Sequence, residues 1–205
     1  MHELLREDKQ LHSYHIGYSF LYAIHDAGFN VILFANNHCF DKGKRGAMHT
    51  LDLLDSLKIP HCGVYRNIQE REERYPLILE SNGIKIAILN YTYGTNGNII
   101  PEPMVVNLID KPTIEQDIFD ARSKGADVII ACMHWGNEYE RHENREQRRL
   151  AEVLQREGVD IIIGSHPHRV QHVDYDSLTG NLVAYSLGDF FGDGTKDGTF
   201  YSILL

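Results

Sequence analysis

Residues 158–168 read Gly-Val-Asp-Ile-Ile-Ile-Gly-Ser-His-Pro-His and contain the pattern that decides the fold. Gly158 has the position expected of a left-handed residue just after the C-terminus of a helix. The isoleucine run that follows is typical of a strand buried on both faces, as in a sheet covered by helices. His166 and His168 lie directly after this run. The segment therefore predicts a helix–strand unit with two histidines at the carboxyl end of its strand.

Two earlier segments repeat this order. Residues 28–38 read GFNVILFANNH, and residues 125–134 read GADVIIACMH. Each segment runs from a glycine through a branched apolar stretch to a histidine, which is His38 in the first and His134 in the second. Ligands of open α/β sheets collect outside the carboxyl ends of the strands. We therefore expect the histidines of all three segments to meet at one edge of a sheet.

Antiparallel hairpins interrupt these helix–strand units. Residues 75–89 contain two strand-like runs around an Asn-Gly turn signal. A second hairpin is expected over residues 170–187, and a final strand over residues 199–205. Helix–strand units combined with hairpins predict an α/β fold with a mixed sheet flanked by helices. A chain of 205 residues fits a single domain, and we assign residues 1–205 to it.

One turn-rich segment has no periodicity. Residues 94–103 read GTNGNIIPEP, and glycine, proline and asparagine at this density are typical of a loop. Such a loop is either a lid over a site or a plain connection between elements.

Composition and charge exclude several classes of protein. With 42% hydrophobic and 24% charged residues, the chain has the profile of a soluble globular protein. Its formal net charge of −9 disfavours nucleic acid as a partner, because binding to nucleic acid is driven by neutralising phosphates. No apolar run approaches the roughly 20 residues of a transmembrane helix, so no membrane segment is predicted. The sequence sets no oligomeric state.

The N-terminus and the cysteines bear on the compartment. The first ten residues, MHELLREDKQ, are charged and precede no apolar stretch, so they form no secretory signal as written. This predicts a cytoplasmic location, with an upstream anchor left open if the chain is truncated. The three cysteines, Cys39, Cys62 and Cys132, are odd in number and lack paired spacing. They support neither a disulfide framework nor a zinc finger, and we expect them to be reduced.

The polar residues at the predicted sheet edge have the chemistry of metal ligands. They are Asn37, His38, His134, His166 and His168. Neutral imidazole binds transition metals such as Zn, Mn and Fe, and amide or carboxylate oxygens supply harder ligands beside it. A lone histidine at a strand end is more often a hydrogen-bonded structural residue. The repetition at three strand ends favours a metal site over that structural alternative.

Four blocks of the sequence resemble, in order and spacing, the signature blocks of the CapA family of bacterial capsule or poly-γ-glutamate synthesis proteins. The blocks are FANNHCFDKGKRGAMHTLDLL at residues 34–54, ACMHWGNEYE at 131–140, IIIGSHPHRVQ at 161–171 and VAYSLGDFF at 183–191. The family belongs to the calcineurin-like metallophosphoesterase superfamily. The resemblance implies a metallophosphoesterase-like sandwich, in which helices flank packed sheets.

The resemblance also implies roles for individual residues. Asn37 corresponds to a metal ligand, and His38 to the acid that protonates the leaving group. His134, His166 and His168 correspond to histidine ligands of a binuclear centre. One or two divalent ions, Mn, Zn or Fe, are implied as the cofactor.

A further set of residues is expected to contact substrate or to support the site. These residues are Asn36, Asp41, Glu138, Arg169 and Asp189. For Asp41, a carboxylate that caps a turn or helix is an equal alternative. For Arg169, the alternatives are an anion contact and an ordinary surface arginine.

The chain departs from the family pattern in three places. The family opens with a Gly-Asp block and an Asn-Leu-Glu block, and residues 1–20 contain neither. Ser165 stands where glycine is usual, and Asp189 where asparagine is usual. From the first departure we expect the family's domain without its first strand or strands, either truncated or completed by a portion supplied elsewhere.

Two functions are consistent with these features. The first is a metal-dependent hydrolase with phosphoester chemistry at a binuclear-type site, linked to capsule or poly-γ-glutamate synthesis. Its substrate would be an anionic small molecule or polymer, with a γ-glutamyl amide as a second substrate class. The alternative is a non-catalytic metal-binding module of capsule polymer assembly, inactive because the first acidic motifs are absent. The sequence leaves open whether the chain is an enzyme.

Overall fold

The computed structural model of the protein describes residues 18–189. Its helices are α1 (Tyr18–Asp26), α2 (Gly43–Ser56), α3 (Ile68–Arg74), α4 (Lys111–Ser123) and α5 (Arg145–Arg156). Its strands are β1 (Ile32–Leu33), β2 (His61–Cys62), β3 (Val64–Tyr65), β4 (Leu77–Ser81), β5 (Ile84–Thr92), β6 (Val105–Val106), β7 (Val128–His134), β8 (Ile161–Ser165), β9 (Val173–Tyr175) and β10 (Leu182–Ala184).

A six-stranded mixed sheet forms the centre of the fold, with the strand order β4-β5-β7-β8-β10-β9. Strands β5, β7, β8 and β10 run parallel, and the edge strands β4 and β9 are antiparallel to their neighbours. Both predicted hairpins are present, and Asn82 and Gly83 turn the first with φ of 53° and 79°. The mixed α/β sheet expected from the sequence is confirmed. The final strand expected over residues 199–205 lies outside the described residues.

The main core lies between this sheet and helices α4 and α5. Ile129 and Met133 of β7 are at most 1% exposed. Ile118 of α4 and Leu154 of α5 belong to the same buried cluster. Because the central strands are covered, they read in the sequence as continuous apolar runs rather than as alternating patterns.

The first of the three strand-like segments differs from the expectation. Only Ile32–Leu33 forms a strand, and it pairs with β2 in a separate two-stranded sheet. Beyond this strand, the Ala35 amide bonds to a side chain and not to the backbone of a neighbouring strand. It donates to Oδ1 of the buried Asn90 at 2.8 Å. The Nδ2 of Asn90 in turn donates to Cys132 O of β7 at 3.3 Å. This asparagine therefore attaches the segment to the central sheet without strand pairing.

The resemblance predicts packed sheets, and among residues 18–189 every sheet other than the six-stranded one is small. Outside the six-stranded sheet lie the pairs β1-β2 and β3-β6, each of two strands. Cys62 of β2 and Tyr65 of β3 are buried in the same cluster as the central strands. A second buried cluster, containing Phe40, Leu51 and Val106, lies between α2 and the pair β3-β6. Because Phe40 is 1% exposed, it anchors the loop that carries Asn37.

Two further findings concern the whole described range. The cysteines Cys39, Cys62 and Cys132 are free thiols and are buried. No helix within residues 18–189 has the length and apolar character needed to cross a membrane.

Candidate metal centre

Neighbouring parallel strands bring the second and third histidine segments together. Strands β7 and β8 pair in a register that places His134 opposite Ser165. His166 follows directly, and the ring centroids of His134 and His166 lie 4.8 Å apart. The carboxyl ends of adjacent parallel strands thus place two imidazoles in contact, as the sequence pattern predicts.

Asn37 reaches the same edge through the Asn90 attachment. Its Oδ1 lies 2.8 Å from His134 Nε2. Asn37 is 3% exposed, which leaves its amide in an almost fully buried position. The residue therefore lies beside the imidazoles although its segment is outside the central sheet.

His168 and Glu138 extend the group on the other side of His166. One ligand atom from each of Glu138, His166 and His168 can be chosen such that all three lie within 4.8 Å of one another. The loop of Glu138 is tied to the histidine loop, because the Tyr139 amide donates to Pro167 O at 2.7 Å. A carboxylate and two imidazoles at this separation form a donor set suited to Zn, Mn or Fe.

Three of the four imidazoles are held through Nδ1. His38 Nδ1 bonds Asp41 Oδ2 at 2.8 Å, His134 Nδ1 bonds Ser165 Oγ at 3.0 Å, and His168 Nδ1 bonds Asp189 Oδ1 at 2.8 Å. Such a bond fixes the rotation of the ring. It thereby also fixes the direction of Nε2, which points away from the bonded partner.

His166 is the exception among these rings. It is 7% exposed, and among residues 18–189 its Nδ1 is a buried nitrogen without a hydrogen-bond partner. A buried polar atom left in this state costs free energy. Its backbone φ of +99° is also rare for a residue with a side chain. Such outliers concentrate at functional sites, where surrounding structure holds them in place.

The electrostatics keep the central imidazoles neutral. Burial lowers the pKa of His134 well below its usual value, and the neighbouring histidines, with His166 first among them, lower it further. Burial and the adjacent His168 lower the pKa of His166 to about 4. Neutral imidazole is the protonation state that binds a metal, so this environment favours ligation.

The remaining predicted residues lie around this group. Asn36 Oδ1 accepts from the His38 amide at 2.8 Å and shapes the turn before it. Helix α2 has Lys42 as its N-cap, so Asp41 contacts His38 rather than capping the helix. Arg169 is exposed at the rim, where its guanidinium carbon lies 5.6 Å from the centre of the Tyr139 ring.

Two residues that the sequence reasoning missed also contact the site. The Tyr93 ring lies 4.7 Å from that of His166 and stacks on His134 at 6.2 Å. Asn96, in the turn-rich loop, accepts from Asn37 Nδ2 at 3.1 Å. The strand-end rule could have found this region, because β5 ends at Thr92 beside the end of β7.

These observations show that the residues fit a divalent metal. Within the described part of the chain the buried Nδ1 of His166 lacks a partner, and the neighbouring donors are imidazole nitrogen and carboxylate oxygen. Asn37 adds an amide oxygen next to His134. Borderline ions such as Zn²⁺, Mn²⁺ and Fe²⁺ prefer this mixture of nitrogen and oxygen ligands.

Known proteins similar to the chain point to one family. Capsule biosynthesis protein CapA of Bacillus anthracis is 28% identical over 177 residues, which cover 83% of this chain and 42% of that protein. PGA biosynthesis protein CapA of Bacillus subtilis (strain 168) is 29% identical over 169 residues, which cover 82% of this chain and 44% of that protein. The chain thus spans less than half the length of these curated relatives.

One of the solved structures similar to the chain is that of Haemophilus influenzae NAD nucleotidase (NadN). It has a TM-score of 0.49 and 20% sequence identity, and the match covers 81% of this chain and 28% of that one. The sequence profile described as "Bacterial capsule synthesis protein PGA_cap" matches residues 6–194, nearly the whole chain. The chain therefore belongs to the PGA_cap family of bacterial capsule synthesis proteins.

Proposed function

We propose that this domain is a metal-dependent phosphoester hydrolase that acts on an anionic substrate in the synthesis of a capsule polymer. The observation that carries the proposal is the contiguous group of imidazole, amide and carboxylate side chains at the carboxyl ends of β7 and β8. The family resemblance to metallophosphoesterases assigns ligand or catalytic roles to the imidazole and amide members of this group, and a supporting or substrate-binding role to Glu138. Membership of the capsule synthesis family supports the biological setting.

The proposed metal ligands are one amide, one carboxylate and three imidazoles. They are Asn37, Glu138, His134, His166 and His168. One or two divalent ions bound by these residues would act as Lewis acids on a phosphoryl oxygen and would lower the pKa of a water molecule. Ser165 suits either tautomer of His134, because a hydroxyl can both donate to Nδ1 and accept from it. With the proton on Nδ1, His134 Nε2 presents a lone pair to an ion.

His38 is the proposed general acid. Its Nδ1 is held by Asp41 at 2.8 Å, and both side chains are largely buried. Asp41 orients the ring and stabilises the imidazolium, so that Nε2 can carry the proton delivered to the leaving oxygen. A buried Asp–His pair of this kind is also used to fix one tautomer of a catalytic histidine.

The proposed substrate class follows from the chemistry of the ligands. Cationic metal ions would offset the repulsion between an anionic substrate and a chain of net charge −9. Arg169, exposed at the rim, adds a fixed positive charge that pairs well with phosphate or carboxylate oxygens. Both an anionic small molecule and an anionic polymer suit this arrangement.

Metal content and hydrolysis of a chromogenic phosphoester test the proposal together. The purified chain, loaded with Mn²⁺ or Zn²⁺, should retain metal after desalting and hydrolyse p-nitrophenyl phosphate or its diester. His134→Ala should lose metal and activity together. The matched control is His142→Ala, because His142 is exposed and outside the site.

Two results would overturn the proposal. Absence of bound metal in the wild-type chain would remove its basis. Retained metal without hydrolysis of any phosphoester would instead support a non-catalytic metal-binding module in polymer assembly.

A further inference from the structure

Asn96 is an exposed residue in the turn-rich loop, and its side chain reaches the candidate ligand Asn37. Its Oδ1 accepts from Asn37 Nδ2 at 3.1 Å and from the Tyr93 hydroxyl at 3.3 Å. The contact joins residues 59 positions apart in the sequence, so it is made by the fold rather than by local geometry. The contact is on the nitrogen side of the Asn37 amide, whereas His134 Nε2 faces the amide oxygen.

The orientation of the Asn37 side-chain amide decides whether its oxygen or its nitrogen faces the metal site. The oxygen and nitrogen of an asparagine side chain have nearly the same shape, and hydrogen-bond partners determine which atom points in which direction. Only the oxygen is a metal ligand. An acceptor facing Nδ2 therefore favours the orientation in which Oδ1 faces His134 at 2.8 Å.

Tyr93 strengthens the same orientation. Its hydroxyl donates to Asn96 Oδ1 at 3.3 Å. This bond helps to hold the Asn96 oxygen that accepts from Asn37 Nδ2. A hydroxyl adapts to either orientation, whereas the oxygen of Asn96 is only an acceptor.

Asn96 does not act directly on His38. Its Nδ2 lies 3.4 Å from His38 Nδ1, whereas Asp41 Oδ2 lies 2.8 Å from the same nitrogen. The carboxylate only accepts, so Nδ1 keeps its proton and donates a hydrogen bond to Asp41. This nitrogen then has no lone pair to accept from the Asn96 amide. The effect of Asn96 on the site therefore passes through Asn37.

The loop is built to hold Asn96 in place. Asn96 has φ of +52°, a left-handed conformation that asparagine tolerates better than most residues. The buried Thr95 donates through Oγ1 to Asn98 O at 2.7 Å, and the Asn98 amide donates to Thr95 O at 2.9 Å. These bonds close a turn around Asn96.

We propose that Asn96 is a positioning residue that fixes the side-chain amide of Asn37 with its oxygen towards the metal site. The expected effect on metal affinity rests on the proposed function. The orientation of the Asn37 amide is a property of the metal-free chain. Partners that orient metal ligands typically change affinity by about 10- to 100-fold when they are removed.

The first measurement is Mn²⁺ affinity by calorimetry. Asn96→Gly removes the acceptor without straining a positive φ, and should weaken binding by about 10-fold or more. Asn96→Asp keeps an acceptor for Asn37 Nδ2 and tolerates the same φ, so it should restore affinity to near the wild-type value. Asn98→Ala is the matched control, because Asn98 takes part in the loop through its main chain. Unchanged affinity in Asn96→Gly, or equal loss in Asn96→Asp, would overturn the proposal.

The second measurement needs no metal. In the metal-free chain, the side-chain NH₂ hydrogens of Asn37 should exchange with solvent about 2- to 10-fold faster in Asn96→Gly, as expected for the loss of one hydrogen bond. Unchanged exchange would overturn the positioning role whether or not the chain binds metal. Faster exchange in Asn96→Gly, combined with no metal binding by the wild-type chain, would overturn the proposed function alone.

Discussion

Gly164 occupies a position in β8 where no side chain fits. A Cβ there would lie 1.9 Å from Tyr185 O and 2.5 Å from Trp135 Nε1. The indole nitrogen donates to that same carbonyl at 2.9 Å, so neither atom can retreat without breaking the bond. We expect Gly164→Ala to lower the free energy of unfolding by about 2 kcal/mol or more, as overpacked cores do.

Chemical denaturation measures this effect, and Gly94→Ala is its control. A Cβ at Gly94 would meet nothing within 4 Å. The control should change the free energy of unfolding by less than about 0.5 kcal/mol. Equal stability of the Gly164→Ala variant and the wild type would show that β8 and the Tyr185 segment separate easily.

Substitutions at two histidines should separate the ligand from the acid. His134 is in contact with Asn37 and His166, so His134→Ala should lose bound metal and turnover together. His38→Gln should retain most of the metal and lose about 10²- to 10⁴-fold in turnover, because an amide hydrogen-bonds but delivers a proton poorly. Metal content by mass spectrometry and kcat on a chromogenic ester measure the two effects. Equal loss of metal in both variants would contradict the role of His38 as acid.

The strand-end rule predicted the histidines of the candidate site but not the two asparagines that hold Asn37 and its segment beside them. His134 and His166 follow β-strand patterns that are visible in the sequence, and neighbouring parallel strands must end at the same edge. Asn90 and Asn96 follow no such pattern. Their effect depends on contacts across 55 and 59 positions of the chain, and a single sequence does not encode which distant partner an asparagine meets.

At the scale of elements, a buried ion pair joins α3 to α4 and to the central sheet. Arg71 donates to Asp117 Oδ2 at 2.6 Å, and Tyr91 of β5 donates to the same oxygen at 2.7 Å. The Asp117 side chain is 4% exposed. Removing one partner of a buried pair leaves an uncompensated charge and typically costs about 3–5 kcal/mol.

The cost of Arg71→Met should depend on pH. Burial raises the pKa of Asp117 above its usual 3.8, and the bonds from Tyr91 and Arg71 oppose that rise. A raised folded-state pKa means that the folded chain binds the proton more tightly, so the contribution of Asp117 to stability is full below the unfolded pKa and falls as pH rises. Loss of Arg71 raises the folded-state pKa further, and the destabilisation should therefore be larger at pH 8 than at pH 5.

Urea denaturation of three chains at both pH values tests this expectation. The chains are the wild type, Arg71→Met and the double variant Arg71→Met/Asp117→Asn. The double variant lacks the carboxylate, so its loss of stability relative to the wild type should change less between pH 5 and pH 8. A pH-independent cost in the single variant would show that packing of the Arg71 side chain, and not the buried charge, sets the effect.

Long, buried elements could be predicted from the sequence more readily than short ones. The long apolar run of β7 and the Asn-Gly turn between β4 and β5 were readable because each carries a strong local signal. The two-residue strands β2, β3 and β6 were not, because their pairing depends on tertiary packing. The segment before Asn37 was expected to be a strand of the central sheet. It is instead attached to that sheet by a hydrogen bond to the side chain of Asn90.

At the scale of the molecule, the candidate metal centre joins segments that are far apart in the chain. Asn37 lies before the central strands, while His134 ends β7 and His166 directly follows β8. An ion bound by these residues would link the α2 side of the fold to the central sheet. Because the unfolded chain does not hold these residues together, metal binding should stabilise the folded state.

The last prediction concerns the size of that stabilisation. At a free Mn²⁺ concentration of 100 times Kd, binding to the folded state alone adds about 2.7 kcal/mol. In a chain of 205 residues, each kcal/mol shifts Tm by about 2–4 °C, so the expected rise is about 5–10 °C. Calorimetric melts with Mn²⁺ and with EDTA measure it. His166→Ala should abolish the rise, because it removes the ring shared by the Glu138–His168 and Asn37–His134 sides of the centre. An equal rise in that variant would place the ion elsewhere in the chain.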